Sequence, residues 1–416
     1  MTANRRQFLA GAASAALGSS LLTHTEASAA ALPPPEKSGI DHIVVVMMEN
    51  RSFDHFLGWL PGADGRQAGL SYVASDGMRH STHHLTDYQG CAHPDPDHSF
   101  EGGRVEYNNG ACDGWLRAGQ NDEFSIGYYE AKDLALYGQA APYWTVCDRY
   151  FSAIMAETYP NRFYQHAAQT DRIHNSSTIS TLPTIWDRLS DAGLTGRYFF
   201  SDAPFTALWG AKYLPISRPY LEFLTLCATG TLPHVSFVDP KFLDEDTGSS
   251  ADDHPHADIR AGQSFLNQVY EAVTSGPAWE RTLLIINYDE WGGFFDHVPP
   301  GTAPDANPDW GLRGFRVPCL VISPRARRGH VAHGVYDHTS ILKTIEWRWN
   351  LPPLTPRDAA ARNIAEVLDF AAPPNLTAPR WQVPTVVGLP CMVSQYVDYE
   401  QWTTLQRLAT SHGWAL

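Results

Sequence analysis

The chain has 416 residues, 43% hydrophobic and 12% aromatic, which suits one large α/β domain or two smaller ones and excludes a disordered or fibrous protein. Its formal net charge of −15 argues against nucleic acid as a partner and against tight electrostatic docking on anionic lipid, because a phosphate-rich surface repels it.

Residues 1–31 read as a twin-arginine signal peptide. Arg5 and Arg6 are followed by Phe8 and Leu9, a weakly apolar run, and small residues around Ala27, Ser28 and Ala29 that suit cleavage. The run is too short to span a bilayer, and no other uninterrupted apolar stretch approaches the roughly 20 residues a span needs. Residues 38–416 are therefore expected as a single soluble, exported domain, periplasmic or secreted. Twin-arginine export carries chains already folded, often with a cofactor seated, which favours a metal-containing protein.

The first strand is the apolar run Ile43–Met48, which breaks abruptly into Glu49, Asn50, Arg51, Ser52, Phe53 and Asp54. Read plainly, that is a strand end with a capped helix start, since Asn, Ser and Asp all suit an N-cap. A Gly-, His- and Asp-rich region from Pro61 to Phe124 is too long for a simple loop and reads as a functional insertion. Residues 128–144 read as a helix, 144–150 as a short strand, and a second helix starts near Thr158. Then come a helix at 183–193 stopped by Gly193, a strand at 197–200, a helix at 218–230, a strand at 234–240, a helix at 257–276, strands at 281–290 and 317–324, and a helix at 338–350. From Pro352 onward the chain is Pro-rich and reads as an irregular wrapping tail. Alternation of this kind predicts an α/β fold with a mostly parallel central sheet and helices on both faces.

Ligands in such sheets gather beyond the carboxyl ends of the strands. Glu49 and Asn50 follow one strand and Asp289 and Glu290 another, while Thr158 opens a helix whose free N–H groups and dipole would attract an anion. Each alone is more often a cap or a surface group. Together they make an oxygen-rich set suited to a divalent cation. Among 18 histidines, His98, His254, His297 and His338 lie in segments rich in Asp, Gly and Pro, where they could donate to anionic oxygens or protonate a leaving group. His93 and His256 are near neighbours of two of them. Trp59, Trp115, Tyr128 and Tyr129 offer either a cage for a cationic headgroup or ordinary core packing. The six cysteines show no CxxC; Cys91 and Cys112 are the nearest pair along the chain, and the pairing stays open.

The stretches MMENRSFDHFLG, DPDHSFEGG, YNNGACDGW, ETYPNRFYQHAAQT, DDHPHADIRAGQSFLNQVY, NYDEWGGFFDHVPPG and YDHTSILKTIEWRW occur in that order between Ile40 and Asn350. They resemble the phosphoesterase family of bacterial phospholipases C, plant non-specific phospholipases C and related secreted acid phosphatases. The resemblance implies an alkaline-phosphatase-like α/β core. It implies a divalent ion, calcium, zinc or magnesium, on Glu49, Asn50, Thr158, Asp289 and Glu290. It also implies that Thr158 is the nucleophile, with the four chosen histidines around the phosphate. Arg51, Ser52 and Asp54, with Asn161 and Arg162, read as bracing for that site. One departure is the Met155-Ala156-Glu157 segment, where relatives often show a Gly-Pro pair. The expected substrate is a phospholipid met in transient contact with a membrane surface, or a soluble phosphate monoester. A non-catalytic lipid- or metal-binding protein would need a lost nucleophile or ligand, and every position is filled. A sulfatase would need a C-x-P-x-R setting, which Cys147, Asp148 and Arg149 do not provide.

Overall fold

A computed structural model describes residues 31–245, 247–392 and 400–416; the expected leader at 1–31 lies outside them but for its last residue. Eight strands form the central sheet: β1 (His42–Met48), β2 (Thr145–Cys147), β3 (Gly196–Phe200), β4 (Ser217–Pro219), β5 (Val235–Val238), β6 (Thr282–Tyr288), β7 (Cys319–Ile322) and β8 (His330–Ala332). Their spatial order is β8-β2-β7-β6-β1-β5-β3-β4. All neighbours run parallel except β7, which is antiparallel to both β6 and β2. The mostly parallel α/β core expected from the sequence is thus present.

β1 is central, and from Ile43 to Met48 it is buried at odd and even positions alike, as is all of β6. Both faces of the sheet are therefore covered, which explains why these strands read as unbroken apolar runs. Around them lie α1 (Phe53–Leu57), α2 (Phe100–Tyr107), α3 (Thr158–Ala167), α4 (Ile185–Asp191), α5 (Tyr220–Thr229), α6 (Ile259–Ser275), α7 (His338–Trp349) and α8 (Trp402–Ser411). Among the described residues no helix is long and apolar enough to cross a membrane.

Three expectations need correction, and the insertion gains detail. Residues 128–144 are not one helix: only Tyr137–Ala140 makes a turn, because Glu130 N–H is taken by the Asp133 carboxylate while the Leu136 and Tyr137 N–H groups donate to Gln263 Oε1. The strand read at 144–150 is two pieces, β2 and a short Tyr150–Phe151 segment paired with Tyr336–Asp337. The insertion is partly regular, holding the hairpin Ser71–Val73/Arg79–Ser81 and α2, which is capped by Ser99. The tail does pass over the core, with Trp279 Nε1 and the Tyr270 hydroxyl donating to the Leu376 and Pro379 carbonyls, but it ends in an unforeseen helix, α8. It is also pinned to the insertion by a disulfide between Cys91 and Cys391, with the Cα atoms 5.6 Å apart, while Cys112 is a buried free thiol.

Candidate active site

Parallel pairing of β1 with β6 sets Met48 beside Tyr288, so the residues after both strands emerge side by side. β5 on the other flank pairs Val238 with Val46, which brings Asp239 to the same end. Backbone bonds lock the exits: Asp289 N–H donates to Met48 O at 3.1 Å, and Arg51 N–H to Glu290 O at 3.1 Å. Asn50 turns the chain with φ +54°, a left-handed conformation that Asn tolerates better than most residues. The turn that follows β6 needs Gly292 there, since a Cβ on it would lie 2.2 Å from Asn50 O.

Five of the expected residues meet on this floor, all fully buried. Asn50 N–H donates to Asp289 Oδ1 at 3.1 Å, and Thr158 Oγ1 donates to Glu49 Oε2 at 3.1 Å and lies 3.4 Å from Asn50 Oδ1. Thr158 is the first residue of α3, and Asn161 fixes the turn before it by accepting from Ile154 N–H and donating to Ala156 O and Glu157 O. One N–H of that helix start is already used, because Tyr159 N–H donates to Asn175 Oδ1 at 2.8 Å. The anion-attracting turn expected from the sequence is to that extent quenched.

Arg162, one helical turn beyond Thr158, does more than brace. Its Nε donates to Glu49 Oε1 at 2.9 Å and lies 3.4 Å from Asp289 Oδ2, Nη1 reaches Asp239 Oδ1 at 3.3 Å, and Nη2 also pairs with Glu49. Burial works against its charge, but Glu49, Asp239 and Asp289 hold it firmly cationic. One cation is too few for the carboxylates around it. Burial raises the pKa of Glu49 well above the usual range, opposed by Arg162 and reinforced by Asp289, Asp252 and Glu400. Burial likewise raises Glu290, opposed by His98, and Asp289, opposed by Arg162; both feel the Glu400 charge as well.

The oxygens themselves test the fit to a divalent cation. Asp289 Oδ2 and Glu290 Oε1 are buried and receive no hydrogen bond, and they stand with Asn50 Oδ1 and the Thr158 hydroxyl in an all-oxygen donor set. Such groups, desolvated and short of positive charge, suit a cation. Glu49, Asp289 and Glu290 are nevertheless not among the sets of His and carboxylate atoms that converge within 4.8 Å, and Arg162 stands between Glu49 and Asp289. Among the described residues the sets that do converge are Asp95 with His98 and His254, Asp54 with Asp296 and His297, and His84 with Glu130 and Asp133. These acidic and histidine clusters are consistent with divalent metal binding.

The four histidines separate. His98 and His254 join the floor, their rings edge-to-face at 5.7 Å. Each donates Nδ1–H to a backbone carbonyl, Pro96 O and Pro255 O respectively, and so turns Nε2 inward. His98 Nε2 lies 2.8 Å from Glu400 Oε1 and 3.3 Å from Asn50 Nδ2. His254 Nε2 lies 3.8 Å from both Asp95 and Glu400; against burial, these two carboxylates raise its pKa to about 9. His338 sits behind the floor, donating Nε2–H to Asp289 O at 2.6 Å while Nδ1 accepts from the Tyr150 hydroxyl at 3.2 Å. Burial lowers its pKa to about 4, so it orients Asp289 and is not a proton donor at neutral pH. His297 is elsewhere, held by Asp54 at 2.5 Å and Asp64 at 3.2 Å beside Arg316.

The bracing residues also divide. Arg51 donates to Asp253 O at 2.6 Å and lies over Phe294, and Ser52 caps α1 and donates to Phe295 O, so both fix the segment leaving β1. Asp54 belongs to the Arg316 cluster. Trp115 and Tyr129 are core, and the Tyr129 hydroxyl donates to Asp87 O, so they form no cage. Sequence reading missed Asp239, which the strand-end rule could have found in HVSFVDP, and Asp95, Asn175 and Glu400. Glu400 is buried and paired with His98 and Asn175 from the far end of the chain, and nothing local in its sequence signals that. A surface cavity of about 440 Å³ bounded by Asp41, His42 and Arg348 lies at the opposite, amino end of β1 and takes no part in this geometry.

A family model described as the Phosphoesterase family matches residues 40–352. The chain is 32% identical to Phospholipase C B of Mycobacterium tuberculosis (strain ATCC 25618 / H37Rv), over 93% of this chain and 89% of that protein. It is 33% identical to Non-specific phospholipase C1 of Arabidopsis thaliana, over 77% of this chain and 69% of that one. A solved protein of the alkaline phosphatase superfamily from Vibrio parahaemolyticus is 10% identical with a TM-score of 0.39, covering 78% of this chain and 70% of its own.

Proposed function

The chain belongs to the phosphoesterase family and is a phosphoric ester hydrolase, and we propose that it is an exported phospholipase C that cleaves the glycerol–phosphate bond of phosphatidylcholine-like lipids through a phosphothreonine at Thr158. One observation carries this reading: a buried hydroxyl at the start of a helix, donating to Glu49 at 3.1 Å, amid carboxylates delivered by the ends of adjacent parallel strands.

Glu49, Asn50, Thr158, Asp289 and Glu290 would hold the divalent cation, which when bound draws charge from the phosphoryl oxygens and acidifies the Thr158 hydroxyl. Thr158 Oγ1 attacks phosphorus, its proton already directed at Glu49. The bond from phosphorus to the glycerol oxygen breaks, and His254, kept protonated by Asp95 and Glu400, gives its proton to the departing alkoxide. Water then attacks the phosphothreonine and frees the headgroup phosphate. His338 holds the Asp289 main chain, and Arg162 holds the Glu49 and Asp289 carboxyl groups in place. Contact with the lipid surface is transient.

Purified protein given phosphatidylcholine and, separately, a simple aryl phosphate tests the reading. Diacylglycerol and phosphocholine are the expected lipid products. Hydrolysis of the aryl phosphate alone would make the protein an acid phosphatase, and no hydrolysis of either would leave a binding protein. Export rests on Arg5 and Arg6, so changing both to Lys should strand the protein in the cytoplasm; normal secretion would overturn that part.

A further inference from the structure

Glu400 is a fixture of the pocket. Trp402, two residues on, stacks on Phe242 with ring centroids 4.0 Å apart, and Cys391 ties the chain upstream to Cys91. The carboxylate between these anchors has no exposed surface. One oxygen lies 2.8 Å from His98 Nε2 and the other accepts from Asn175 Nδ2. Two contacts then lead to the nucleophile: His98 Nε2 is 3.3 Å from Asn50 Nδ2, and Asn50 Oδ1 is 3.4 Å from Thr158 Oγ1.

Its placement is wrong for a carboxylate that merely orients a histidine. An orienting partner takes the ring nitrogen remote from the reaction, but in both His98 and His254 that nitrogen, Nδ1, is already held by a backbone carbonyl. Glu400 faces the pocket side of both rings instead, and puts a fixed negative charge beside the phosphoryl seat. Among the described residues the other charged and titratable groups around it are His98, His254, Asp95, Glu49, Asp289 and Glu290, with Glu157 beyond Asn175.

A phosphodiester enters this seat with one negative charge, whereas a phosphomonoester carries nearly two above its second ionisation near pH ~6. We propose that Glu400 is a specificity-determining residue that selects monoanionic phosphodiesters and rejects dianionic phosphomonoesters. The inference rests on the phosphoryl seat assigned above and names the substrate class that seat prefers.

Two substrates with the same leaving group isolate the charge: methyl p-nitrophenyl phosphate and p-nitrophenyl phosphate, given to the metal-loaded full chain. Protein groups titrate identically for both, so the ratio of their kcat/KM values reports the substrate's own charge. In the wild type the monoester-to-diester ratio should rise about 10-fold or more from about pH 7.5 to pH 5, as the monoester gains a proton. Glu400→Gln should raise the ratio at pH 7.5 by about 10- to 100-fold and flatten its pH dependence, while Glu400→Asp keeps the wild-type preference. A ratio unchanged in Glu400→Gln overturns the proposal. So does a wild-type ratio that fails to rise on acidification, an arm that stands even if the variant does not fold. If the wild type hydrolyses neither these substrates nor phosphatidylcholine, the reading of the site itself falls, and this inference with it.

Discussion

Two buried clusters in this protein are built from the same parts, an arginine among carboxylates with a histidine at the margin, and they differ in how completely those parts are paired. Around Arg316, Nε and Nη2 meet both oxygens of Asp296 at 2.9 and 3.1 Å, Nη2 meets Asp54 at 3.1 Å, and Nη1 meets the Asp64 and Asp148 carbonyls. Asp54 spends its remaining capacity on Arg66 N–H and His297. Around Arg162, Asp289 Oδ2 and Glu290 Oε1 receive no hydrogen bond, and a hydroxyl points at Glu49. In the first cluster each oxygen of Asp54 and Asp296 finds a donor among its own neighbours. A cluster that leaves oxygens unmet is prepared for something from outside, and here those oxygens lie at the carboxyl ends of β1 and β6.

The largest expected break in this comparison is at Thr158. Thr158→Ala should lose essentially all hydrolysis with its melting temperature little changed, since the account offers no other nucleophile. Thr158→Ser keeps the hydroxyl without the β-methyl that restricts its rotamer, and should fall by roughly 10- to 1000-fold. Near wild-type turnover by the alanine variant, measured on phosphatidylcholine, would make Thr158 a helix-start residue and no more.

Next come paired substitutions, one in each cluster. Asp289→Asn should lose bound metal and several orders of magnitude in kcat, because it removes a negative donor from the unmet set. Asp296→Asn should instead destabilise the fold by about 3–5 kcal/mol, because it leaves Arg316 buried with too little opposing charge. Metal content by elemental analysis and denaturant unfolding separate the two. If Asp296→Asn lost metal while Asp289→Asn retained it, the clusters would have been assigned the wrong way round.

A smaller effect comes from His166 on α3, away from the unmet oxygens. Burial, with Arg162 adding to it, lowers its pKa to about 3, and its Nδ1 accepts from Trp186 Nε1 at 3.0 Å. Unfolded, it would take up a proton below about pH 6.5, so between that value and pH 3 the unfolded state binds more protons than the folded one. Its contribution to stability is therefore intact above about pH 6.5 and declines as the pH falls, by at most about 1.4 kcal/mol per unit. His166→Gln should lessen the acid slope of unfolding stability between pH 6 and 4 by up to that amount; an unchanged slope would show that the imidazole is not kept neutral.

The floor of the site was legible because its signal is local. An apolar run that stops dead at Glu49, and another at Asp289, marks the end of a buried strand, and parallel pairing then brings the two together. Thr158 and the α3 start were legible for the same reason. The histidines were only half legible: DPDHSF and DDHPH led to a pair facing the seat, but the same loop chemistry around His297 serves Arg316, and His338 is spent on a main-chain carbonyl. Composition does not distinguish those fates; partners do. Helix-like spacing at 128–144 misled because side chains of Asp133 and Gln263 intercept the N–H groups a helix would use. Glu400 was beyond reach, since its meaning comes from His98, 302 residues away, and from a disulfide spanning 300 residues.

The proposed chemistry turns on a bond between the Thr158 oxygen and phosphorus. Metal-loaded protein turning over a phosphodiester should be quenched in acid, digested and analysed by mass spectrometry. Expected is a peptide carrying on Thr158 the phosphoryl group still esterified to the alcohol the substrate retains, present only during turnover and absent from Thr158→Ala. Full turnover with no phosphoryl group on Thr158 at any quench time, together with single-step inversion at a phosphorus made chiral, would contradict it and place the attack with water.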